Sequence, residues 1–185
     1  MPKRLFDLML SIPLLLMSAP LILFLMAWII FESPGPAVFK QARVGLNGKV
    51  FKMLKLRTMV ADAAERGGFR TLDGDPRITR LGRVLRRASL DELPQLVNVL
   101  RGEMSMVGPR PDTPRQEDDY SPDDWQARHK VRPGITGPAQ ARLRSKATFE
   151  QRLALDLEYA RSPTVIKDLG ILAETAVTFL FRKGN

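Results

Sequence analysis

The chain has 185 residues, no cysteine, and 29 Lys and Arg against 20 Asp and Glu, a formal net charge of +9. Without cysteine there is no disulfide, zinc–thiolate centre or thiol nucleophile, and the length suits one catalytic-sized domain with no obvious interdomain linker. The surplus of cations calls for an anionic partner: nucleic acid, phospholipid head groups or a phosphorylated substrate.

From Leu5 to Phe31 the only charged residue is Asp7. As one helix this run would reach about 40 Å against about 30 Å of hydrocarbon, which predicts membrane residence rather than a soluble core helix. A cleaved leader does not fit, because the apolar run continues past Ser18-Ala19 and Pro20 would follow the cut. Lys3 and Arg4 precede the run, while Lys40, Arg43, Lys49, Lys52, Lys55 and Arg57 follow it, so both flanks carry the charge retained in the cytoplasm. A kinked spanning helix and a re-entrant hairpin both remain open. Pro20 supplies the bend for the second, with Ser18 placed to satisfy a freed carbonyl.

Ser33-Pro34-Gly35-Pro36 ends the helix. Strands are predicted from Val38 to Val44 and from Val50 to Arg57, around a Gly45–Lys49 turn that contains the Asn47-Gly48 hairpin signal. By the period of two, Lys55 and Arg57 share a strand face, either to meet one anion or as ordinary solvated cations. Residues 61–76, with Gly67, Gly68 and Gly74, read as a loop without chemistry. Arg77 to Arg87 reads as a basic amphipathic helix with Ile78, Leu81, Val84 and Leu85 on its apolar side. The neighbouring membrane segment favours anionic lipid for its basic face. No zinc motif, aromatic stacking pattern or recognition helix supports nucleic acid.

Chemistry is expected between Ser89 and Pro111. Leu93, Leu96, Val97 and Leu100 recur at helical spacing, Gly102 follows as a C′ residue, and Pro94 is tolerated only in a first turn, so a helix is predicted to begin near Asp91. Unpaired N–H groups and the helix dipole at that end favour an ionised Asp91, as a nucleophile requires. The ordinary alternative is a capping box, Ser89-x-x-Glu92. Arg77, Arg80, Arg83, Arg86 and Arg87 just before the acidic pair, and Pro109-Arg110-Pro111 just after it, point instead to a substrate carrying phosphates.

Further on, Asp112, Glu117, Asp118, Asp119, Asp123 and Asp124 read as surface acids, and Ser121-Pro122 as a helix start. His129 is the single histidine, and no Gly-x-Ser-x-Gly elbow accompanies it. With Lys130 and Arg132 it reads as an anion-binding turn. Two helices follow, the first capped by Thr148-x-x-Gln151 and ended at Ser162-Pro163. The second carries Val165, Leu169, Leu172, Ala176 and Phe179 along one stripe, with Arg182 and Lys183 suited to head groups. The expected architecture is α+β and mostly helical. Residues 1–33 form a membrane hairpin, and residues 34–185 a membrane-associated cytoplasmic domain with a small β-hairpin and amphipathic interface helices.

Ile78-Thr79-Arg80-Leu81-Gly82-Arg83 with Arg86, Ser89-Leu90-Asp91-Glu92-Leu93-Pro94-Gln95, Asn98-Val99-Leu100, Met104-Ser105 and Val107-Gly108-Pro109-Arg110-Pro111 together make a signature. Lys55-Leu56-Arg57-Thr58-Met59 precedes it, and His129-Lys130-Val131-Arg132-Pro133-Gly134-Ile135-Thr136-Gly137 follows. The pattern resembles the bacterial sugar transferases, the monotopic polyprenyl-phosphate phosphoglycosyl transferases, over nearly the whole chain, and in their small form without extra N-terminal spans.

The resemblance implies that Asp91 attacks the β-phosphate of a UDP-sugar, that UMP leaves, and that polyprenyl (undecaprenyl) phosphate takes the phosphosugar from the enzyme. That is the first membrane step of bacterial glycoconjugate assembly. Mg2+ is implied at Asp91, with Glu92 as a second ligand or as a base, and substrate contacts at Lys55, Arg57, Arg86, Arg110 and Arg132. It further implies a helix that enters the inner membrane from the cytoplasmic face and returns at a Ser-Pro pair, with both termini cytoplasmic. Here Ala19 precedes Pro20, Ser18 stands one residue earlier, and Pro13 adds a second break. Phospholipid is an expected partner, nucleic acid is not, and an oligomer is compatible with the sequence. The rival reading is a non-enzymatic, membrane-anchored basic adaptor, for which Asp91 would be replaceable. A multi-span transferase fails on hydropathy. The sugar is not legible; its specificity is expected in residues 61–76 or 139–148.

Overall fold

The computed structural model describes residues 2–67, 74–143 and 148–180. One helix, α1 (Pro2–Glu32), takes up the apolar N-terminal segment, with Pro13 and Pro20 both inside it. The break expected at Pro20 therefore does not separate two helices, since a proline removes one donor and the flanking turns continue the ladder. Ser18 Oγ bonds back to the carbonyls of Leu14 (2.6 Å) and Leu15 (3.3 Å). That contact bends helices, but it is not made to the Leu16 carbonyl that Pro20 deprives of its donor. Among the described residues, α1 is the one helix long and apolar enough to cross a membrane.

Both ends of α1 are fastened to the rest of the fold. Near its start, Lys3 Nζ reaches Asp168 at 2.5 Å and the Val107 carbonyl at 3.1 Å, and Arg4 donates to the carbonyls of Val99 and Leu100. Asp7, the lone charge of the apolar run, is buried and accepts from Ser105 Oγ (2.8 Å) and Met106 N (3.0 Å). Near its end, Leu25 and Ile29 pack with Ala37, Leu56, Leu81 and Leu85, and Glu32 accepts from Leu81 N at 3.2 Å. Between these anchorages Leu16, Met17, Leu23 and Phe24 stay exposed, an apolar surface that water does not suit.

Strands β1 (Val38–Val44) and β2 (Val50–Leu56) pair antiparallel from Val38↔Leu56 to Val44↔Val50, as expected. Asn47 and Gly48 in their connection adopt φ 54° and 76°, the left-handed region that this dipeptide accommodates. A short α2 (Ala63–Arg66) precedes α3 (Arg80–Arg87). The latter begins later than the predicted Arg77, because Thr79 caps it by accepting from Gly82 N, while Arg77 turns back onto Asp75 at 2.7 Å. Leu81 and Leu85 are buried as expected, whereas Val84 is exposed. A Cβ on Gly82 would lie 2.1 Å from the Thr58 carbonyl oxygen, so glycine is what lets α3 approach the end of the hairpin.

Helix α4 (Gln95–Arg101) closes at Gly102, whose φ of 80° meets the C′ expectation. Its buried face holds Leu96 and Val99, but also Asn98. The Asn98 amide accepts from Leu54 N (3.0 Å) and donates to the Lys52 carbonyl (2.9 Å), so it satisfies the free edge of β2 and docks α4 on the hairpin. Next come β3 (Ser105–Val107), α5 (Pro122–Arg128) and β4 (Gly134–Thr136). β3 and β4 form a parallel pair that the sequence did not announce. The chain ends with α6 (Pro138–Arg142), α7 (Phe149–Arg161), capped by Thr148 and Gln151 as expected, and α8 (Val165–Leu180). Tyr159 of α7 and Asp168 of α8 join at 2.6 Å beneath Lys3. Phe51, Met53, Val99, Met104, Val107 and Ile171 form the core between hairpin, helices and β3. The head-group cations expected at Arg182 and Lys183 lie outside the described residues, as do positions 68–73 and 144–147 of the candidate specificity loops.

Candidate active site

Pro94 shapes the acidic turn. Without an N–H, and with a ring that collides with the carbonyl four residues back, it prevents the α ladder from reaching Asp91. Leu90–Glu92 instead make a single 3-10 turn closed by Leu93 N to the Leu90 carbonyl at 3.3 Å. Asp91 thus precedes α4 in its own turn rather than occupying the helix's first turn. Ser89 takes φ 54° and caps nothing, so the capping box does not form and Glu92 is directed to the hairpin.

There Glu92 meets Lys55 Nζ at 2.7 Å and Arg110 Nη2 at 3.6 Å. Burial pushes Glu92 up, but Lys55 and Arg110 outweigh it and hold the carboxyl below its ordinary range. Asp91 is also buried, and among the described residues it has no ion pair of its own. Burial pushes it up; Lys55 and Arg86 oppose the rise, Glu92 adds to it, and the net direction is upward. The two carboxylates are thereby differentiated, one fixed in ion pairs and one held out of water without a tight partner. Arg86 is oriented by Nε donating to Thr58 Oγ1 at 2.8 Å.

Arg110 stands on a braced turn. Gly108 N bonds the Thr136 carbonyl and Gly134 N the Pro109 carbonyl, both at 2.9 Å, and a Cβ on Gly134 would lie 2.1 Å from Gly108 N, so β3 and β4 touch backbone to backbone. Beneath, the buried Arg128 donates to the Arg110 carbonyl (2.9 Å), to Asp156 (2.8 Å) and to Asp112. Arg43 of β1 holds the Pro111 carbonyl at 2.8 Å. Arg43, Lys55, Glu92 and Arg110 line a shallow hollow together with Met53 and Ile135.

Of the residues expected to bind substrate, Lys55 and Arg110 meet at Glu92, with Arg86 beside Asp91. Arg57 is placed elsewhere: it is buried and donates to the carbonyls of Ile29, Ser33 and Pro34, where α1 ends. Arg132 Nε donates to the Gly102 carbonyl at 2.8 Å, at the opposite end of α4 from Asp91. His129 is not set to receive a substrate anion: its Nε2 lies 3.6 Å from the buried Asp112 carboxylate. Its ring packs on Trp125 and its Nδ1 lies 2.8 Å from the Trp125 carbonyl. Burial and then the Arg128 charge push it towards neutrality.

Sequence reasoning missed Arg43 and Arg128. Strand register could have found the first, because Phe39 pairs with Lys55, Gln41 with Met53 and Arg43 with Phe51, which puts Arg43 on the Lys55 face. Nothing local marks Arg128. Among the described residues no three metal-ligating side chains cluster. Asp91 and Glu92 suit a cation such as Mg2+, which takes one or two carboxylates and completes its shell with phosphate oxygens and water.

The environment of Asp91 fixes the sign of a pH effect. A carboxyl raised by burial titrates above the ordinary value of about 3.9, so activity that needs its anion falls as pH drops through that raised value. Arg86→Gln removes an opposing charge and is expected to move this acid limb of kcat/KM to higher pH; a limb unmoved or moved downward in the pH profile would contradict it.

A buried carboxylate, its ion-paired neighbour and four cations make up a site whose chemistry suits anionic groups. The chain belongs to the bacterial sugar transferase family, whose model matches residues 1–182, the family expected from the sequence. Over 96% of its length it is 44% identical to the UDP-glucose:undecaprenyl-phosphate glucose-1-phosphate transferase of Caulobacter vibrioides, of which it covers 69%. It is 42% identical, over 97% of its length, to the exopolysaccharide production protein PSS of Rhizobium leguminosarum bv. phaseoli, of which it covers 96%. To the Escherichia coli UDP-glucose:undecaprenyl-phosphate glucose-1-phosphate transferase it is 39% identical over 92% of its length, covering 38% of that protein.

Proposed function

We propose that the protein transfers a phosphosugar from a UDP-sugar to membrane polyprenyl phosphate through a covalent intermediate on Asp91. The carrying observation is the asymmetry of the acidic pair: Glu92 takes the direct ion pairs with Lys55 and Arg110, while among the described residues Asp91 has none. The donors and the acceptor in the names of the relatives support the same reaction. An oxygen of Asp91 attacks the β-phosphorus, and the bridging P–O bond breaks with its electron pair departing on UMP. An acyl phosphate carrying the sugar remains. The acceptor's phosphate oxygen then attacks the same phosphorus, and the Asp91 carboxylate is released.

Each half brings two anions together, so Lys55, Arg86 and Arg110 serve as charge-neutralising contacts. Mg2+ is the proposed cofactor, held by Asp91 with Glu92 nearby, and it supplies further neutralisation of the diphosphate. Arg57 and Arg132, committed to backbone carbonyls, support the fold around the site.

Residues 1–33 are the proposed anchor and residues 34–185 the catalytic part. Because Lys3, Arg4 and Asp7 at one end of α1 and Glu32 at the other are bound to the same body, the exposed middle rests in one leaflet without crossing the bilayer. Both ends then lie on the cytoplasmic face of the inner membrane.

The test is the intact mass of the purified protein after exposure to Mg2+ and a panel of UDP-sugars without acceptor. A gain equal to one phosphosugar, with UMP released, is the expected result and identifies the donor. UMP release only when polyprenyl phosphate is present would overturn the covalent step. No release under any condition would favour the adaptor.

A further inference from the structure

Arg43 is half-buried in the wall of the hollow and, among the described residues, has no ion pair of its own. One terminal nitrogen donates to the Pro111 carbonyl at 2.8 Å and the other to Gln41 Oε1 at 2.8 Å. Its Nε, also buried, has no hydrogen-bond partner among the described residues. Burial and then the nearby Arg110 charge lower its pKa to about 10, with Glu92 opposing them. Two guanidiniums and an ammonium line the hollow with one carboxylate, Glu92, which leaves a surplus of positive charge there for an anion to share.

Contacts order the groups along the site. Asp91 adjoins Glu92 in one turn, Glu92 meets Lys55 at 2.7 Å and Arg110 at 3.6 Å, and Arg43 donates to the carbonyl of Pro111, the residue after Arg110, at 2.8 Å. The series therefore runs from Asp91, through Glu92 and Lys55, to Arg110 and Arg43. In a nucleoside diphosphate sugar the phosphorus under attack must lie at Asp91, so the adjoining phosphate, the one that leaves with the nucleoside, extends towards Arg110 and Arg43.

We propose that Arg43 is a further donor-binding residue which, with Lys55 and Arg110, clamps the phosphate that departs with the nucleoside. This rests on the phosphosugar-transfer reading and adds a residue to the leaving-group end of it. The fork of Arg43 is already oriented by Pro111 and Gln41, so little freedom is lost when the anion binds. Glu92 keeps Lys55 and Arg110 paired until the phosphate competes for them.

The experiment compares the wild type with Arg43→Lys and Arg43→Met, measuring donor KM, acceptor KM, inhibition by UMP and by uridine, and the melting temperature with and without UMP. Losing a charge-assisted contact is expected to raise donor KM and the UMP inhibition constant together, roughly 10-fold for the lysine variant and up to about 100-fold for methionine. Uridine inhibition and acceptor KM should stay within about twofold. UMP should raise the melting temperature of the wild type and lose that effect in Arg43→Met. If Arg43 only braces the Pro111 turn, UMP and uridine inhibition weaken equally, or kcat falls with donor KM unchanged, and either result overturns the clamp. An active wild type with unaltered Arg43 variants overturns this inference alone. A wild type releasing no UMP from any UDP-sugar with acceptor present overturns it together with the reaction on which it rests.

Discussion

Asp91→Asn is expected to abolish UMP release and lipid product, a loss on the order of 10⁴-fold or more, because amide nitrogen and oxygen do not replace a carboxylate nucleophile. The same variant is expected to melt at or above the wild-type temperature. Asp91 has its carboxyl raised by burial, so its folded-state value lies above that of the unfolded chain. The linkage sign follows: its favourable contribution is present below the unfolded value and is lost as pH rises through the folded one. At neutral pH the ionised side chain therefore opposes folding, and a neutral amide of the same shape removes that opposition. Activity and thermal unfolding measured on one preparation check both parts. Retained turnover would sink the covalent step, and a melting temperature several degrees below the wild type would show that Asp91 is chiefly structural. A membrane adaptor makes the opposite prediction, that its function survives the replacement.

Features governed by near neighbours in sequence were legible. Asn47-Gly48 set the hairpin, Gly102 closed α4, and Thr148 with Gln151 capped α7, since each acts over one turn. The apolar run with its cationic flanks was legible for the same reason. What stayed hidden depended on contacts far apart in the chain. Lys55 and Arg57 obey the same alternation, yet β2 ends at Leu56, so Arg57 is already off the sheet and swings to the end of α1. The parallel pairing of β3 with β4 involves three residues each, too few for a periodic signal. Asp91 stands out in the sequence as the candidate nucleophile, but the structure gives it a different setting: Pro94 displaces the helix start, and burial rather than a helix dipole dominates its electrostatics. Asp7, a single charge in an apolar run, is an anchor between α1 and β3 that only the tertiary structure explains.

Arg128→Ala is expected to cost about 3–5 kcal/mol, because it leaves buried carboxylates without the cation that compensates them. Asp112 and Asp156 are 5% and 3% exposed, and Arg128 bonds both. For a chain of this length the fall in melting temperature is on the order of 10 °C. The deficit has a pH signature. Burial raises Asp156 and Arg128 opposes the rise, so without Arg128 the folded-state value moves further above the unfolded one. Stability linked to Asp156 is then retained in acid and lost as pH rises, and the gap between variant and wild type is expected to narrow as pH falls from 7 towards 4.

A second replacement separates stability from function. Arg128→Met combined with Asp112→Asn and Asp156→Leu removes the charges together, and apolar substitution of a buried ion network is often neutral or stabilising. This triple variant is expected to recover most of the lost melting temperature. It still lacks the guanidinium that donates to the Arg110 carbonyl at 2.9 Å, so the turn carrying Arg110 loses its support from below. Donor KM should therefore stay elevated after the fold is restored. Recovery of both stability and donor KM would show that the Gly108–Thr136 and Gly134–Pro109 backbone bonds position Arg110 without help. Recovery of stability alone would make Arg128 a positioning residue for the nucleotide end of the site, acting through a carbonyl and never touching the substrate.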